Sequence, residues 1–505
     1  MPYVGAALSG FAIAACFLRF HLFALAWVAF VPLLWSLAQA RSPREAARIG
    51  FVAGITTNVP AFYWLVYTIH VFGGFSIVLA AFFYLCLSLF TTLQFVLFAL
   101  AMQRSGPRRL ALAAPVFWVA LEFLFPNMFP WRMAHTQLQL PVLLQIGDLT
   151  GPYALSFAIV WVAAGCTQLI RDRRDWRPLL AATGLALLIA VYGAFRLPQI
   201  EQAMRTAPTV RAALVQGNIG IEEKFNVSSF EINVDQYREL SAAVQADVDF
   251  IVWPETVQQH WIEADTPRLS AKTNPFPDLR THLIFGGLGF RFLSSNPRDA
   301  EEYNSAFVIG PGGVVLGRYD KRILMPFGEF IPLASYFPWL RDLSPETGGF
   351  TPGRQIAVID LGGRAKVGQL ICYEDIVTGM PRSTTSAGAE LLVTILNDAW
   401  YGNTAAPYQH QALALWRTVE NRRYLLRASN SGVTSIIDAA GRVVSEGPLF
   451  QAKVITGEIP RLRIETFYTR FGDVFAWLMV AAAAALLWLA RHPARPTGRT
   501  DQVSR

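Results

Sequence analysis

The sequence predicts a two-part protein: a multi-pass α-helical membrane domain joined to an α/β domain, the latter a two-sheet αββα sandwich with helices outside. Three observations lead there. The 505 residues are 53% hydrophobic and only 16% charged, with a mean hydropathy of +0.34, which is too apolar for a chain lying wholly in water. Eight apolar segments have the length of about 17–25 residues that a spanning helix needs. Between the seventh and the eighth lies a long insert in which short, β-branched-rich runs alternate with helical patterns.

The eight segments fall near residues 3–19, 22–40, 50–69, 74–102, 110–126, 152–170, 178–196 and 473–490. Residues 1–200 would thus form a transmembrane domain of seven helices, 206–463 the α/β domain, 473–490 an eighth helix and 491–505 a polar tail. The second and fifth segments contain prolines, which membrane helices tolerate when neighbours satisfy the freed carbonyl. No cleavable signal peptide is expected, because the first apolar run lacks a basic start and leads straight into a second span.

The net charge of +7 divides unevenly. Residues 201–465 hold 25 of the 43 basic and 29 of the 36 acidic residues, so the insert is mildly acidic and offers no basic nucleic-acid face. The excess arginine sits in the connections RSPREAAR (41–48), QRSGPRR (103–109) and RDRRDWR (171–177) and in the tail. With eight spans all four lie on one side. By the positive-inside rule both termini are then cytoplasmic, and the insert faces the periplasm or exterior. Cys16, Cys86 and Cys166 lie inside apolar runs, and no CxxC or Cys/His spacing occurs, which argues against disulfides and structural zinc. Neither a metal nor an organic cofactor is expected.

Within the insert, VRAALVQGNI, DFIVWPET, HLIFGGLGF, YNSAFVIG, GVVLGRYDK, KVGQLICYED, ELLVTILND, GVTSIID and AKVITGEI read as strands. GPGG between Ile309 and Val314 reads as a hairpin turn. PYQHQALALWRTVENRRYLLR, 407–427, has helical spacing.

Three strand ends carry what thiol acyl transfer requires. Glu255 follows FIVW, Lys321 follows VVLGRY, and Cys372 follows QLI. A carboxylate can take a thiol proton, and an ammonium stabilises both thiolate and oxyanion. Each residue alone has a structural explanation: a helix-start acid, a surface lysine, a core thiol. Three such residues, each at a strand exit, make coincidence a poor account.

WPE (253–255), YDK (319–321) and CYE (372–374) resemble the Glu-Lys-Cys pattern of the nitrilase superfamily. Eight spans, LVQGNI (214–219), YNS (303–305), MPFGEFIP (325–332), NDAWYG (397–402), Gln409-His410, RASNSG (427–432) and FPW (129–131) resemble its membrane-embedded branch, the bacterial apolipoprotein N-acyltransferases. The resemblance implies a nitrilase-like fold, with Glu255 as general base, Lys321 as oxyanion stabiliser and Cys372 as nucleophile. It implies supporting roles for Glu329, which orders Lys321 and the base, and for Tyr373 and Glu374. Where the family has a tryptophan after QGNI this chain has Phe225, an aromatic without the indole donor. His135 is read as a polar residue near the outer interface.

The implied reaction is ping-pong. The sn-1 acyl chain of a phospholipid, such as phosphatidylethanolamine, passes through a Cys372 thioester to the α-amine of an S-diacylglyceryl-cysteine at the N-terminus of an apolipoprotein. The protein is expected to act as a monomer. The apolar loops around Trp131 and Trp339 are expected to close over lipid. Two alternatives stay open at this point. One is an amidohydrolase in which water takes the thioester. The other is a transporter with a sensor domain, disfavoured because Glu122 is the main ionisable residue deep in the spans.

Overall fold

The computed structural model describes residues 2–18, 20–220, 229–294, 296, 299–326, 328–331, 336–337, 339 and 349–492. All eight apolar segments are helical. Among the described residues, five helices are long and apolar enough to cross a membrane: Phe20–Ala38, Ile77–Ser105, Tyr153–Arg171, Arg177–Thr206 and Val474–Arg491. The pair Pro43–Ala61 and Leu65–Val71, bent by 56°, passes the same test only when taken together, as a broken span or a re-entrant loop. The remaining two, Pro2–Leu18 and Leu110–Leu124, have 17 and 15 residues. Two of the eight segments are irregular. The second segment is a 3-10 stretch, Phe20–Trp27, followed by the helix Val31–Ala38, whose first turn holds Pro32. The third breaks after Ala61, just past Pro60, which has no N–H to give.

The insert folds into strands β1 (Thr209–Gln216), β2 (Phe250–Val252), β3 (Gln258–Glu263), β4 (His282–Phe292), β5 (Ala300–Ile309), β6 (Val315–Asp320), β7 (Val358–Asp360), β8 (Lys366–Ile371), β9 (Leu391–Leu396), β10 (Leu425–Ser429), β11 (Ser435–Ile437), β12 (Val443–Glu446) and β13 (Lys453–Pro460). They form two mixed sheets, ordered β13-β1-β2-β4-β5-β6, with β3 beside β4, and β12-β11-β10-β9-β8-β7. Period-two patterning decides what each face of the first sheet touches. Ala212, Leu214, Phe250, Val252, Ile284 and Val308 join one continuous core with Val367, Leu392 and Leu426 of the second sheet. The alternate residues Ala213, Val215, Ile251, Leu283, Phe285 and Phe307 pack with Val234 and Tyr237 of the helix Phe230–Ala242. At GPGG the hairpin closes as expected, with Gly312 and Gly313 both at positive φ.

The expected helix 407–427 is shorter than its pattern. It runs Ala406–Asn421 and stops at Arg422, which takes the left-handed conformation (φ 51°, ψ 51°). Leu425–Ser429 then enters the second sheet, parallel to β9. Tertiary contacts override the helical spacing here. The Arg422 guanidinium is buried on Asp148 Oδ2 (2.7 Å) and Gln145 Oε1 (2.6 Å) of the helical region. The helix Ala406–Asn421 is the joint between the two parts: Trp64 Nε1 donates to Gln409 Oε1 (2.8 Å), and Gln409 Nε2 donates to the carbonyls of Ala61 and Phe17, both at helix ends. His135 is therefore no interfacial belt residue. It is 1% exposed and meets Trp416 of that helix edge-on at 5.9 Å.

Candidate active site

Cys372 begins a 3-10 turn, Cys372–Asp375, at the end of β8. Its φ of +51° is rare for a residue with a side chain, and strain of this kind costs about 1–3 kcal/mol. Glu374 holds the turn in place. Its fully buried carboxylate accepts from the amides of Ile371 (2.9 Å), Arg322 (2.7 Å) and Ile323 (3.0 Å) and from the Tyr319 hydroxyl (2.8 Å). It thereby ties the Cys372 turn to the segment after β6 that carries Lys321. Burial pushes the Glu374 carboxyl up, while those donors pull it back. Its carboxylate is committed to the backbone and leaves the chemistry to others.

Glu255 stands on the loop after β2, which stays hydrogen-bonded to β4: the Gly286 amide donates to Pro254 O (3.0 Å), and the Val257 amide donates to Gly286 O (2.9 Å). That approach needs a glycine. A Cβ on Gly286 would lie 2.6 Å from the Glu255 Cα and 2.3 Å from the Thr256 nitrogen. Lys321, 2% exposed, puts its ammonium 2.8 Å from Glu329 Oε2 and 3.5 Å from Glu255 Oε1. Glu329 also accepts from the Met325 amide at 2.8 Å.

The residue that sequence reasoning left out is Asn304. From β5 its side-chain NH2 donates to Glu255 Oε1 and to Glu329 Oε1, both at 2.8 Å, and its backbone carbonyl accepts from the Lys321 amide at 2.9 Å. The signal was YNS at 303–305.

The charges explain the resting state of the thiol. Burial, and after it Glu255, push Cys372 well above its ordinary pKa; Lys321 pulls the other way, and Asp398 and Glu329 add to the rise. These influences favour the protonated form of the thiol. Burial alone would lower Lys321, yet Glu329, Glu255 and the thiol outweigh it and keep the ammonium charged.

The other expected residues divide. The Tyr373 hydroxyl donates to Met128 O at 2.5 Å, and its ring meets Phe129 edge-on at 6.4 Å, so the nucleophile turn is docked on the loop of the helical region that carries FPW. Trp131 is 4% exposed, packed edge-on against Phe17 at 4.8 Å. Trp131 lines a small aromatic cavity with Phe17, Trp64, Phe129, Tyr401 and His410. Trp339 is 59% exposed. Phe225 lies outside the described residues. Among the described residues no cluster of His, Cys, Asp and Glu fits a metal ion.

A two-sheet α/β sandwich presenting cysteine, lysine and paired glutamates at its strand ends, joined to apolar helices of spanning length, defines a nitrilase-superfamily acyltransferase of the membrane-bound kind. The family models agree: residues 211–468 match the carbon-nitrogen hydrolase model and residues 9–165 the apolipoprotein N-acyltransferase N-terminal domain. The chain belongs to the apolipoprotein N-acyltransferase family. It is 36% identical over 504 residues to the apolipoprotein N-acyltransferase of Geobacter metallireducens, covering 97% of this chain and 95% of the relative. To that of Azotobacter vinelandii it is 32% identical, covering 93% and 90%. Among solved structures, Saccharomyces cerevisiae Nit3, a member of branch 10 of the nitrilase superfamily, is similar at 19% identity and a TM-score of 0.38, covering 52% of this chain and 94% of that one.

Proposed function

We propose that this enzyme N-acylates lipoproteins, moving the sn-1 acyl chain of a phospholipid such as phosphatidylethanolamine to the α-amine of an N-terminal S-diacylglyceryl-cysteine. Glu255 takes the Cys372 proton as the thiolate attacks the ester carbonyl. Lys321 and a backbone N–H after the cysteine stabilise the oxyanion, and the intermediate collapses to a thioester as Glu255 returns the proton to the departing lysophospholipid alkoxide. Glu255 next accepts a proton from the incoming amine, the amide forms, and Cys372 leaves as the thiol. The kinetics are ping-pong, and the enzyme acts as a monomer.

The observation that carries this reading is the Glu329–Lys321–Glu255 array next to a thiol whose turn is hydrogen-bonded to the membrane-side loop through Tyr373 and Met128. That docking suits an electrophile arriving from lipid. A long acyl chain costs about 0.8 kcal/mol per CH₂ to expose to water, so the thiol has to meet it at the bilayer surface. The division into a membrane region, 1–200 and 473–490, and a catalytic region, 206–463, with the catalytic side periplasmic and both termini cytoplasmic, is supported by the arginine-rich connections. Exposed Trp339 suits a residue that enters the interface.

The test is steady-state transfer in detergent micelles from phosphatidylethanolamine to a synthetic S-diacylglyceryl-cysteinyl peptide, followed by the peptide's mass. The expected result is one acyl group added per peptide, one lysophospholipid released, and no product from Cys372→Ala. Free fatty acid in place of acylated peptide would mean a hydrolase instead. Trp339→Ala is expected to lower transfer from vesicles while leaving the rate of Cys372 alkylation unchanged.

A further inference from the structure

Behind the nucleophile lies a buried charged cluster that the reaction above does not use. His410, 4% exposed on the helix Ala406–Asn421, sits between two carboxylates, with Nε2 2.9 Å from Asp375 Oδ1 and Nδ1 3.0 Å from Asp398 Oδ1. Both carboxylates are completely buried. The second oxygen of Asp375 accepts from Arg427 Nε of β10 at 2.9 Å.

The positions of the two carboxylates matter. Asp375 ends the 3-10 turn that Cys372 begins. Asp398 begins the turn after β9, the parallel neighbour of β8, with Ile371 beside Ile395. His410 therefore bridges the ends of adjacent parallel strands, one of which presents the thiol.

We infer that His410 is a positioning residue for this reaction, fastening the Cys372 turn to the Asp398–Tyr401 turn and supplying the positive charge that offsets Asp398 beside the thiol. The inference rests on Cys372 being the nucleophile. An ionised carboxylate only accepts hydrogen bonds, so with Asp375 and Asp398 both ionised the ring donates from both nitrogens as an imidazolium. Two carboxylates, one guanidinium and one imidazolium sum to zero; without the imidazolium the cluster carries one negative charge in a place shielded from water, next to a group that must itself become an anion.

The other groups facing His410 do not replace it. Tyr401 meets its ring edge-on at 6.2 Å, and His135 lines the same cavity from the helical region. Arg427 is held by Asp375. Further along its own helix, Arg417 and Glu420 pair with each other at 2.6 Å. Glu255, Lys321 and Glu329 also act on the thiol, and Asp398 already opposes ionisation of Cys372.

The experiment follows alkylation of Cys372 by iodoacetamide in the full-length protein in detergent, read by peptide mass mapping to separate it from the other cysteines, for the wild type, His410→Gln, Asp398→Asn and the double variant. At a fixed pH below the thiol's pKa, His410→Gln is expected to react about tenfold more slowly, the equivalent of one pKa unit. Asp398→Asn is expected to react faster than wild type, and adding it to His410→Gln restores most of the lost rate. A structural role alone would leave the alkylation rate of the folded variants unchanged and give no rescue. Equal rates in wild type and His410→Gln, or slower alkylation in Asp398→Asn, overturn the inference; Asp398→Asn decides alone if His410→Gln does not fold. Because alkylation needs no lipid or peptide, its outcome is separate from that of the acyl-transfer assay.

Discussion

Lys321 Nζ lies closer to Glu329 Oε2, at 2.8 Å, than to Glu255 Oε1, at 3.5 Å. Glu329 therefore takes the larger share of the ammonium. Glu329→Gln removes that competition, and Lys321 shifts toward Glu255, the residue proposed as the base, and out of its place beside the thiol. A loss of about 10²–10³ in kcat is expected, the size seen when one preorganised electrostatic partner is removed, with the protein still folded. Steady-state transfer to the peptide checks it.

Glu374→Gln tests a different job. The buried carboxylate accepts from three backbone amides and a tyrosine, and an amide in its place turns an N–H toward at least one of those donors. Each buried donor left without an acceptor costs about 1–3 kcal/mol. Activity and thermal stability should fall together, in contrast to Glu329→Gln, where activity falls alone. Parallel melting and transfer measurements separate the two.

Asp148 is the counter-charge of the joint between the two parts of the molecule, 2.7 Å from Arg422 and 2.8 Å from Arg196. Asp148→Asn leaves the buried Arg422 cation without a partner ion. The expected destabilisation is about 3–5 kcal/mol, seen as a lower unfolding midpoint in detergent, while Cys372 in the folded fraction alkylates at the wild-type rate.

Stability should also depend on pH through His410. Burial draws its pKa down, but Asp375 and Asp398 outweigh burial and raise it from 6.5 to about 9. A raised folded-state pKa means a contribution that is complete below about 6.5 and lost as pH rises through about 9. The wild-type melting temperature should fall across that window, and His410→Gln should show a flatter profile there.

The nine strands read from sequence were legible because alternation or β-branching marks each of them, including β6 and β13 at the edges of the first sheet. The strands that escaped, QQHWIE of β3, VID of β7 and VVSE of β12, are short or polar and owe their conformation to the strand beside them. LLRAS of β10 fits either period, and only the left-handed Arg422, held by Asp148 from the other end of the chain, decides between them. The site shows the same division. Glu255, Lys321 and Cys372 announce themselves as polar residues ending apolar strands. Asn304 and His410 stand in the motifs YNS and Gln409-His410, but each acts by bridging two carboxylates distant in sequence from each other, and neither motif says which carboxylates those are. Trp131 was legible as an aromatic near the membrane, but its burial against Phe17 depends on packing between helices.

The central claim is a fatty-acyl thioester on Cys372 that only an amine discharges. Intact-mass analysis of the protein mixed with phosphatidylethanolamine should show one added acyl group, absent in Cys372→Ala, that persists until the S-diacylglyceryl-cysteinyl peptide is added and then moves to the peptide. An adduct that decays to free fatty acid before any peptide is present, or one that survives in Cys372→Ala, would contradict it.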